Sequence, residues 1–332
     1  MANVESRNRK LPGRREFISL GVGAFTVAFA PGLLRRSRRL VRRTVPVMGT
    51  IAEIAIVHGD ARHAQGAADA AIESLLGVEN TMTRFRTDSC IGRANLLAGR
   101  DAVVVDEHTA RVVAESLRWA EGTGGSFDPA LGRLVELWDV AHRTEPPPHD
   151  AVARFADRRL YRSVEIGESR GAPVLRYHDD DVGLDLGGIA KGYGVDLAVA
   201  ALRDWGIRDA IVNVGGDLYA LGRSQDGDAW RVGIRSAAGG PGLSGTIEVS
   251  DRAVATSGDY EQSFVYEGRR YHHLLDPVSA EPRRVAAHSL TIAAASCMTA
   301  DAAATALFGQ TRESARVVLR RLAADAEFVS TG

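Results

Sequence analysis

From Ile51 to Val57 apolar residues alternate with small or polar ones, the period of a strand that buries one face. The Ala-rich stretch from Ala61 to Val78 lacks that alternation and reads as a helix. A polar, irregular segment follows from Thr83 to Asn95. Helical composition returns over Arg111 to Glu121, and Gly122-Thr-Gly-Gly125 stops it; Leu131–Trp138 is a further helical run. In the second half, short strands are predicted at Val174–Tyr177, Ala210–Val214, Trp230–Ile234 and Gly245–Val249, then at Ala253–Ser257, Tyr271–Leu275 and Ser289–Ala293. Helices are predicted at Gly192–Trp205, Met298–Phe308 and Glu313–Ala323. Most of these strands follow one another without a helix between them, which predicts antiparallel pairing and an α+β class. A doubly wound nucleotide-binding sheet is disfavoured, because no GxGxxG follows an early strand. Pro146-Pro-Pro148 reads as a surface loop rather than a linker, since the composition does not change across it.

Composition refines this picture in two places. The 332 residues are 45% hydrophobic, ample for a sizeable core, and the net charge of −1 conceals two unlike parts. Residues 1–43 hold eleven of the 41 Lys/Arg and two of the 42 Asp/Glu, leaving 30 basic against 40 acidic residues in 44–332. An acidic body argues against a nucleic-acid surface. The N-terminus reads as an export signal: Arg14-Arg15-Glu-Phe17-Ile18 is a twin-arginine pattern, the stretch Phe17–Leu34 is uncharged, and Ala28-Phe-Ala30 offers a small-residue cleavage site. The competing reading is an uncleaved anchor, which would associate the chain with a membrane. Gly21, Gly23, Pro31 and Gly32 make that a weak spanning helix. Residues 1–43 are thus read as export signal and basic segment, with Arg35–Arg43 as a basic tail, and 44–332 as one domain. Cys90 and Cys297 form no CxxC and no zinc-type site; a disulfide after export and two buried thiols both remain open.

The most informative residue is Lys191, the only lysine beyond residue 10. Elsewhere in the body fixed positive charge is written as arginine, so Lys191 is expected to do what a planar guanidinium cannot, such as placing a compact ammonium against a phosphate. It lies in Asp185-Leu-Gly-Gly-Ile-Ala-Lys-Gly192, whose small residues would let backbone N–H groups approach an anion at a helix N-terminus. Ala300-Asp-Ala-Ala-Ala-Thr305 puts Asp301 and Thr305 one turn apart on a helix face, two hard oxygen ligands of the kind Mg²⁺ takes. Standing alone, Asp301 reads better as a carboxylate at a helix N-terminus that complements the dipole. Gly125-Ser-Phe-Asp-Pro129, Asn213-Val-Gly-Gly-Asp217 and Thr256-Ser-Gly-Asp-Tyr260 are each ordinary turn compositions. In His272-His273-Leu-Leu-Asp276 the two imidazoles point to opposite strand faces, so one at most serves a site, as base or polar contact. His58, His63, His108, His142 and His149 read as surface residues.

Taken in order from Val47-Met-Gly-Thr50 to Ala300–Thr305, these motifs resemble the FAD:protein FMN transferases, the ApbE family. The resemblance implies an α+β fold of mostly antiparallel strands packed with helices, with the FAD site in a cleft near the centre. It implies FAD as substrate and Mg²⁺ as cofactor: a Thr or Ser hydroxyl of an acceptor protein attacks the FMN phosphorus and AMP leaves. Carried over by motif, Asp301, Thr305 and the Gly188 carbonyl would hold the metal. Lys191 and Asp185 would contact FAD, with Met48, Ser126, Phe127, Asp128 and Leu275 completing the dinucleotide site. His273 would take the hydroxyl proton, with Asp276 as alternative or orienting partner. The implied partner is an acceptor with an FMN-binding domain, a membrane redox subunit or an exported flavoprotein. An FAD pyrophosphatase and a non-catalytic FAD binder are the alternatives. Where the family reads Asp-Pro-x-Thr-Gly-x-Pro, this chain has Asp276-Pro-Val-Ser-Ala-Glu-Pro282, so Ala280 must avoid positive φ or accept strain.

Overall fold

The structure, a computed structural model, describes residues 25–28, 39–235, 243–260, 262–285 and 288–331. The twin-arginine pair lies outside them. In chain order, β1 (Phe25–Ala28), β2 (Arg39–Val47) and β3 (Thr50–His58) precede α1 (Ala61–Met82) and α2 (Cys90–Leu97). Next come β4 (Val103–Val104), α3 (Glu107–Gly122), α4 (Gly132–Trp138), α5 (His149–Ala153), β5 (Val164–Ser169) and β6 (Ala172–Tyr177). Helix α6 (Ala190–Asp204) leads into β7 (Ala210–Val214), β8 (Asp217–Leu221), β9 (Trp230–Arg235), β10 (Leu243–Val249) and β11 (Arg252–Gly258). The chain closes with β12 (Ser263–Tyr266), β13 (Arg269–His272), β14 (Ser289–Ala294), α7 (Cys297–Leu307), α8 (Arg312–Leu322) and β15 (Glu327–Thr331).

Seven strands form the central sheet in the order β15-β14-β11-β8-β7-β3-β2, every neighbour antiparallel. That is the α+β arrangement the spacing predicts. One face packs on α1, α6 and α7; Ala52, Ile54 and Ile56 of β3 point into that core. The other face is covered by the sheet β1-β9-β10, where Trp230, Val232 and Ile234 meet Ala55, Val57 and Ile211. The alternation at Ile51–Val57 therefore does not mark a half-exposed strand: β3 is buried on both faces. Its polar member, Glu53, is buried too, and burial raises its pKa against a hydrogen bond to Asn213 on β7. Helix starts follow local capping. Asp60 accepts the N–H groups of Arg62 and His63 at the head of α1, and Ser296 accepts that of Thr299 at the head of α7.

Several sequence expectations shift. Residues 39–43 are not a free tail: Arg39–Arg43 pair with Ile54–His58 as the edge of the central sheet. Phe25–Ala28, inside the apolar N-terminal stretch, pairs with β9. Helix α2 begins within the segment 83–95, capped by Ser89 through Gly92 N–H; its short polar composition hid the period. The strand predicted to reach Leu275 ends at His272. Cys90 and Cys297 are buried free thiols. Among the described residues no helix is long and apolar enough to cross a membrane.

Candidate active site

Antiparallel pairing gathers the motif turns at one end of the central sheet. The β2–β3 turn at Met48-Gly49, the β7–β8 turn at Gly215-Gly216 and the end of β11 at Ser257-Gly258 share that end. Met48 and Gly49 both have positive φ, 52° and 70°, the geometry of a tight two-residue hairpin. The Met48 N–H donates to Glu79, and its thioether lies where a Cβ on Gly194 of α6 would fall, 2.6 Å from Cε.

Helices α6 and α7 meet over this end. A Cβ on Gly192 would stand 2.3 Å from the Cys297 carbonyl oxygen, and one on Gly188 would stand 2.8 Å from Thr305 Cγ2 and 3.1 Å from its Oγ1. The glycines of the lysine motif thus serve close approach to α7 and Phe127. The Gly192 N–H is spent on the Asp301 carboxylate at 3.0 Å, not held open for an anion. Asp301 lies beyond the first turn of α7, which contains no acidic residue, so it does not act as a dipole complement. Asp196 on α6 does so instead, its carboxylate accepting the N–H groups of Cys297 and Met298 at 2.7 and 2.9 Å. Burial pushes Asp196 up to about 6.

Lys191 reaches across the junction. Its Nζ lies 2.8 Å from Asp217 Oδ2 and 3.5 Å from Asp301 Oδ2, and donates to the Gly187 carbonyl at 3.2 Å. Both carboxylates are buried. Thr305 Oγ1 lies 3.2 Å from Ser257 Oγ, and Phe127 packs against Gly188. Lys191, Asp301, Thr305, Gly188 and Phe127 are therefore one contiguous group, with Asp217 and Ser257 added by the fold. Among the described residues no group of three or more His, Cys, Asp or Glu side chains is poised to hold a metal. The donors gathered here are all oxygen, the Asp217 and Asp301 carboxylates and the Thr305 hydroxyl, beside the Gly188 backbone. An ammonium already stands in this oxygen nest, so the residues fit a hard cation such as Mg²⁺.

The rim is held by two arginines. Arg84 Nε donates to Asp185 at 2.9 Å, while Asp185 also accepts the Gly187 N–H. Arg283 is a deeply set guanidinium donating to three carbonyls: Leu275 at 3.1 Å, Phe308 at 2.6 Å, and Ser126. Burial lowers its pKa to about 10, opposed by the Asp276 carboxylate. Arg283 thus ties the Ser126 turn, the Leu275 segment and the end of α7 together. Asp128 accepts the Ala130 and Tyr161 N–H groups at 2.9 and 3.3 Å, and burial raises it to about 6.

The two histidines have different partners, although β13 ends at His272 and His273 lies in the bend after it. His272 is buried; its Nδ1 accepts the Leu274 N–H, so Nε2–H donates to the Arg283 carbonyl at 2.9 Å. His273 makes a different contact. Its Nδ1 faces the Gln262 carbonyl at 3.4 Å, and since a carbonyl only accepts, Nδ1 carries the proton and Nε2 holds the lone pair. Burial pushes His273 down to about 4, and the neighbouring charge of Lys191 lowers it further while Asp185 opposes. Asp276 accepts the Val278 N–H within its own loop at 2.9 Å. In that loop Ala280 accepts strain, with φ 58°, where the resembling pattern has glycine. The Trp138 indole N–H holds its carbonyl at 2.8 Å.

Asp217 and Ser257 lie in motifs that carried the resemblance but were given no role of their own, and Arg84, Asp196 and Arg283 carry no site signal in the sequence. Asp217 and Ser257 lie in turns of ordinary composition. The two arginines are among 39 in the chain and have no distinguishing neighbours.

The fold and site define an α+β protein in which Lys191 meets the Asp217 and Asp301 carboxylates where the glycine-bearing helix α6 packs on α7. The model of the ApbE family matches residues 48–329, and the chain belongs to that family. An FAD:protein FMN transferase of Treponema pallidum is 36% identical over 266 residues, covering 76% of this chain and 73% of that protein. One from Vibrio cholerae is 32% identical over 267 residues, 79% of each chain. The crystal structure of the ApbE protein of Thermotoga maritima superposes with a TM-score of 0.78 at 28% identity, over 87% of this chain and 93% of that one.

Proposed function

We propose that this chain is an FAD:protein FMN transferase that moves FMN from FAD to a Thr or Ser hydroxyl of an acceptor protein, with Mg²⁺ and with AMP as leaving group. The observation that carries this reading is Lys191, set between buried Asp217 and Asp301 beside Thr305 and Gly188. Such a site suits the pyrophosphate of a dinucleotide with a cation beside it, since phosphoryl transfer depends chiefly on position and charge neutralisation.

Asp301, Thr305 and the Gly188 carbonyl would hold the metal, which supplies charge neutralisation on the pyrophosphate when bound. Lys191 places a compact positive charge at the same phosphates. Phe127, Leu275 and Met48 offer apolar surface for the flavin or adenine rings, and Arg84 fixes Asp185 at the rim. His273 Nε2 takes the proton of the acceptor hydroxyl as its oxygen bonds to the FMN phosphorus. The bond from that phosphorus to the AMP phosphate oxygen breaks, and AMP leaves with the electron pair. With its pKa near 4, the imidazole is neutral and able to accept at neutral pH.

Two further expectations belong to this reading. The Arg14-Arg15 pattern and the apolar stretch after it support export, with action at the outer face of the cytoplasmic membrane and with a membrane anchor if the segment is retained. The acceptor is a protein carrying an FMN-binding domain, in a membrane redox complex or an exported flavoprotein.

The test incubates the full chain with FAD, Mg²⁺ and an FMN-acceptor domain, then reads flavin fluorescence on a denaturing gel. A magnesium-dependent fluorescent acceptor band, lost in Asp301→Ala, is expected. AMP release without a band would replace the reading with an FAD pyrophosphatase. Bound, intact FAD beside a competent acceptor would replace it with a flavin-binding protein.

A further inference from the structure

Asp217 sits inside the site and has no part in the chemistry above. It opens β8, directly after the Gly215-Gly216 turn, and that turn is fixed by the Gly216 N–H donating to the Asn213 side chain at 3.1 Å. Its carboxylate is buried, and at 2.8 Å it lies closer to Lys191 Nζ than Asp301 does at 3.5 Å. Asp217 is therefore the main counterion of the lysine.

The local charge follows from these contacts. Asp217 and Asp301 bring two negative charges and Lys191 one positive, while Asp185 is offset by Arg84 at 2.9 Å. Lys191, Asp217 and Asp301 at the floor of the site thus sum to one net negative charge before any cation arrives. The Cys297 thiol beneath it senses the same sign: burial raises its pKa first, and Asp196, Asp217 and Asp301 raise it further against Lys191. A dinucleotide pyrophosphate is itself anionic, so this floor repels it. One divalent cation reverses the sign.

We infer that Asp217 is a positioning residue that makes FAD binding conditional on the divalent cation, by holding and cancelling Lys191 until that cation neutralises the carboxylates. The inference rests on the reading of FAD as substrate and Mg²⁺ as cofactor. The Asn-Val-Gly-Gly-Asp motif then sets the order of binding, cation with or before FAD. Removing the charge at position 217 while keeping its shape should let Lys191 meet the pyrophosphate unaided.

The experiment titrates FAD into the full-length protein in EDTA and in excess Mg²⁺, following flavin fluorescence, for wild type, Asp217→Asn, Asp217→Ala and Asp217→Glu. In wild type, FAD should bind more tightly with Mg²⁺. In the two neutral variants the ratio of the two affinities should shrink by about tenfold, the scale of one charge removed close to a bound anion, mainly through tighter binding in EDTA. Asp217→Glu keeps the charge and should keep the wild-type ratio. Two neutral variants guard against one that fails to fold. Equal weakening of both affinities, with the ratio unchanged, would show that Asp217 merely props the lysine and would overturn the inference. Wild-type binding indifferent to Mg²⁺ would overturn both the inference and the magnesium reading. Magnesium-dependent binding without acceptor labelling would sink the transferase reading alone.

Discussion

Gly192→Ala offers a sharp test of how the site is assembled, because local and tertiary terms oppose each other. Within a helix, glycine to alanine contributes about 1 kcal/mol of stability through propensity. At Gly192 the new Cβ would stand 2.3 Å from the Cys297 carbonyl oxygen, 2.6 Å from its carbon and 2.8 Å from Asp301 Cβ. Two of those atoms are backbone in the first turn of α7, so no rotamer change relieves the contact. Overpacking of this kind typically costs about 1–3 kcal/mol and at times more, and here α7 must move bodily away from α6. The clash should outweigh the propensity gain by roughly 1–2 kcal/mol, lowering Tm by about 2–8 °C in a domain of this size. Separation of the helices would also break the Gly192 N–H bond to Asp301 and shift the carboxylate from Lys191. Flavin transfer should therefore fall by more than the unfolded fraction accounts for. Gly77→Ala is the control: it lies in α1, and its Cβ would meet nothing within 4 Å. That variant should gain about 0.5–1 kcal/mol. Thermal melts of both variants beside wild type decide the matter. A Gly192→Ala protein as stable and active as wild type would refute the close-approach argument.

Three further outcomes are expected. Lys191→Arg keeps the charge but presents a broad planar fork to three oxygens arranged around a compact ammonium, and kcat/KM should drop by about 10–100-fold; wild-type turnover would undo the case for that lone lysine. The acid limb of transfer in kcat/KM should lie near pH 4 rather than 6.5, because burial holds His273 neutral until then; a limb near 6.5 that persists in His273→Asn would remove that imidazole as base. Asp128, raised to about 6 in the folded protein, holds its proton more tightly there than when unfolded. The stability it contributes is present below about pH 4 and is lost as pH rises through about 6. Denaturant titrations of Asp128→Asn between pH 4 and 7 should therefore show a shallower decline than wild type, and an identical slope would contradict the burial argument.

Much of the molecule was legible along the chain. The helices from Ala61, near Gly192, near Met298 and near Glu313 announced themselves through long runs of good helix formers, and capping by Asp60, Ser296 and Thr311 fixed the starts of three of them locally. Short strands without intervening helices gave the antiparallel class, because hairpin connections are themselves local. The lone lysine and the Asp301–Thr305 pair stood out in the sequence and lie together in the fold, since residue choice against a chain's own habit and spacing within one helix need no tertiary knowledge. What only the tertiary structure decided depends on approach between distant segments. Strand β2 read as a basic tail because an edge strand needs no alternation of its own; pairing with β3 makes it. The two-sided burial of β3 depended on β9 and β10, more than a hundred residues away in sequence. Asp217 met Lys191 only because β8 turns back beneath α6, and Arg283 bound three carbonyls from three segments. Sequence periodicity records what each segment offers a neighbour; which neighbour arrives, and so which charges share a pocket, is settled by the packing of the whole chain.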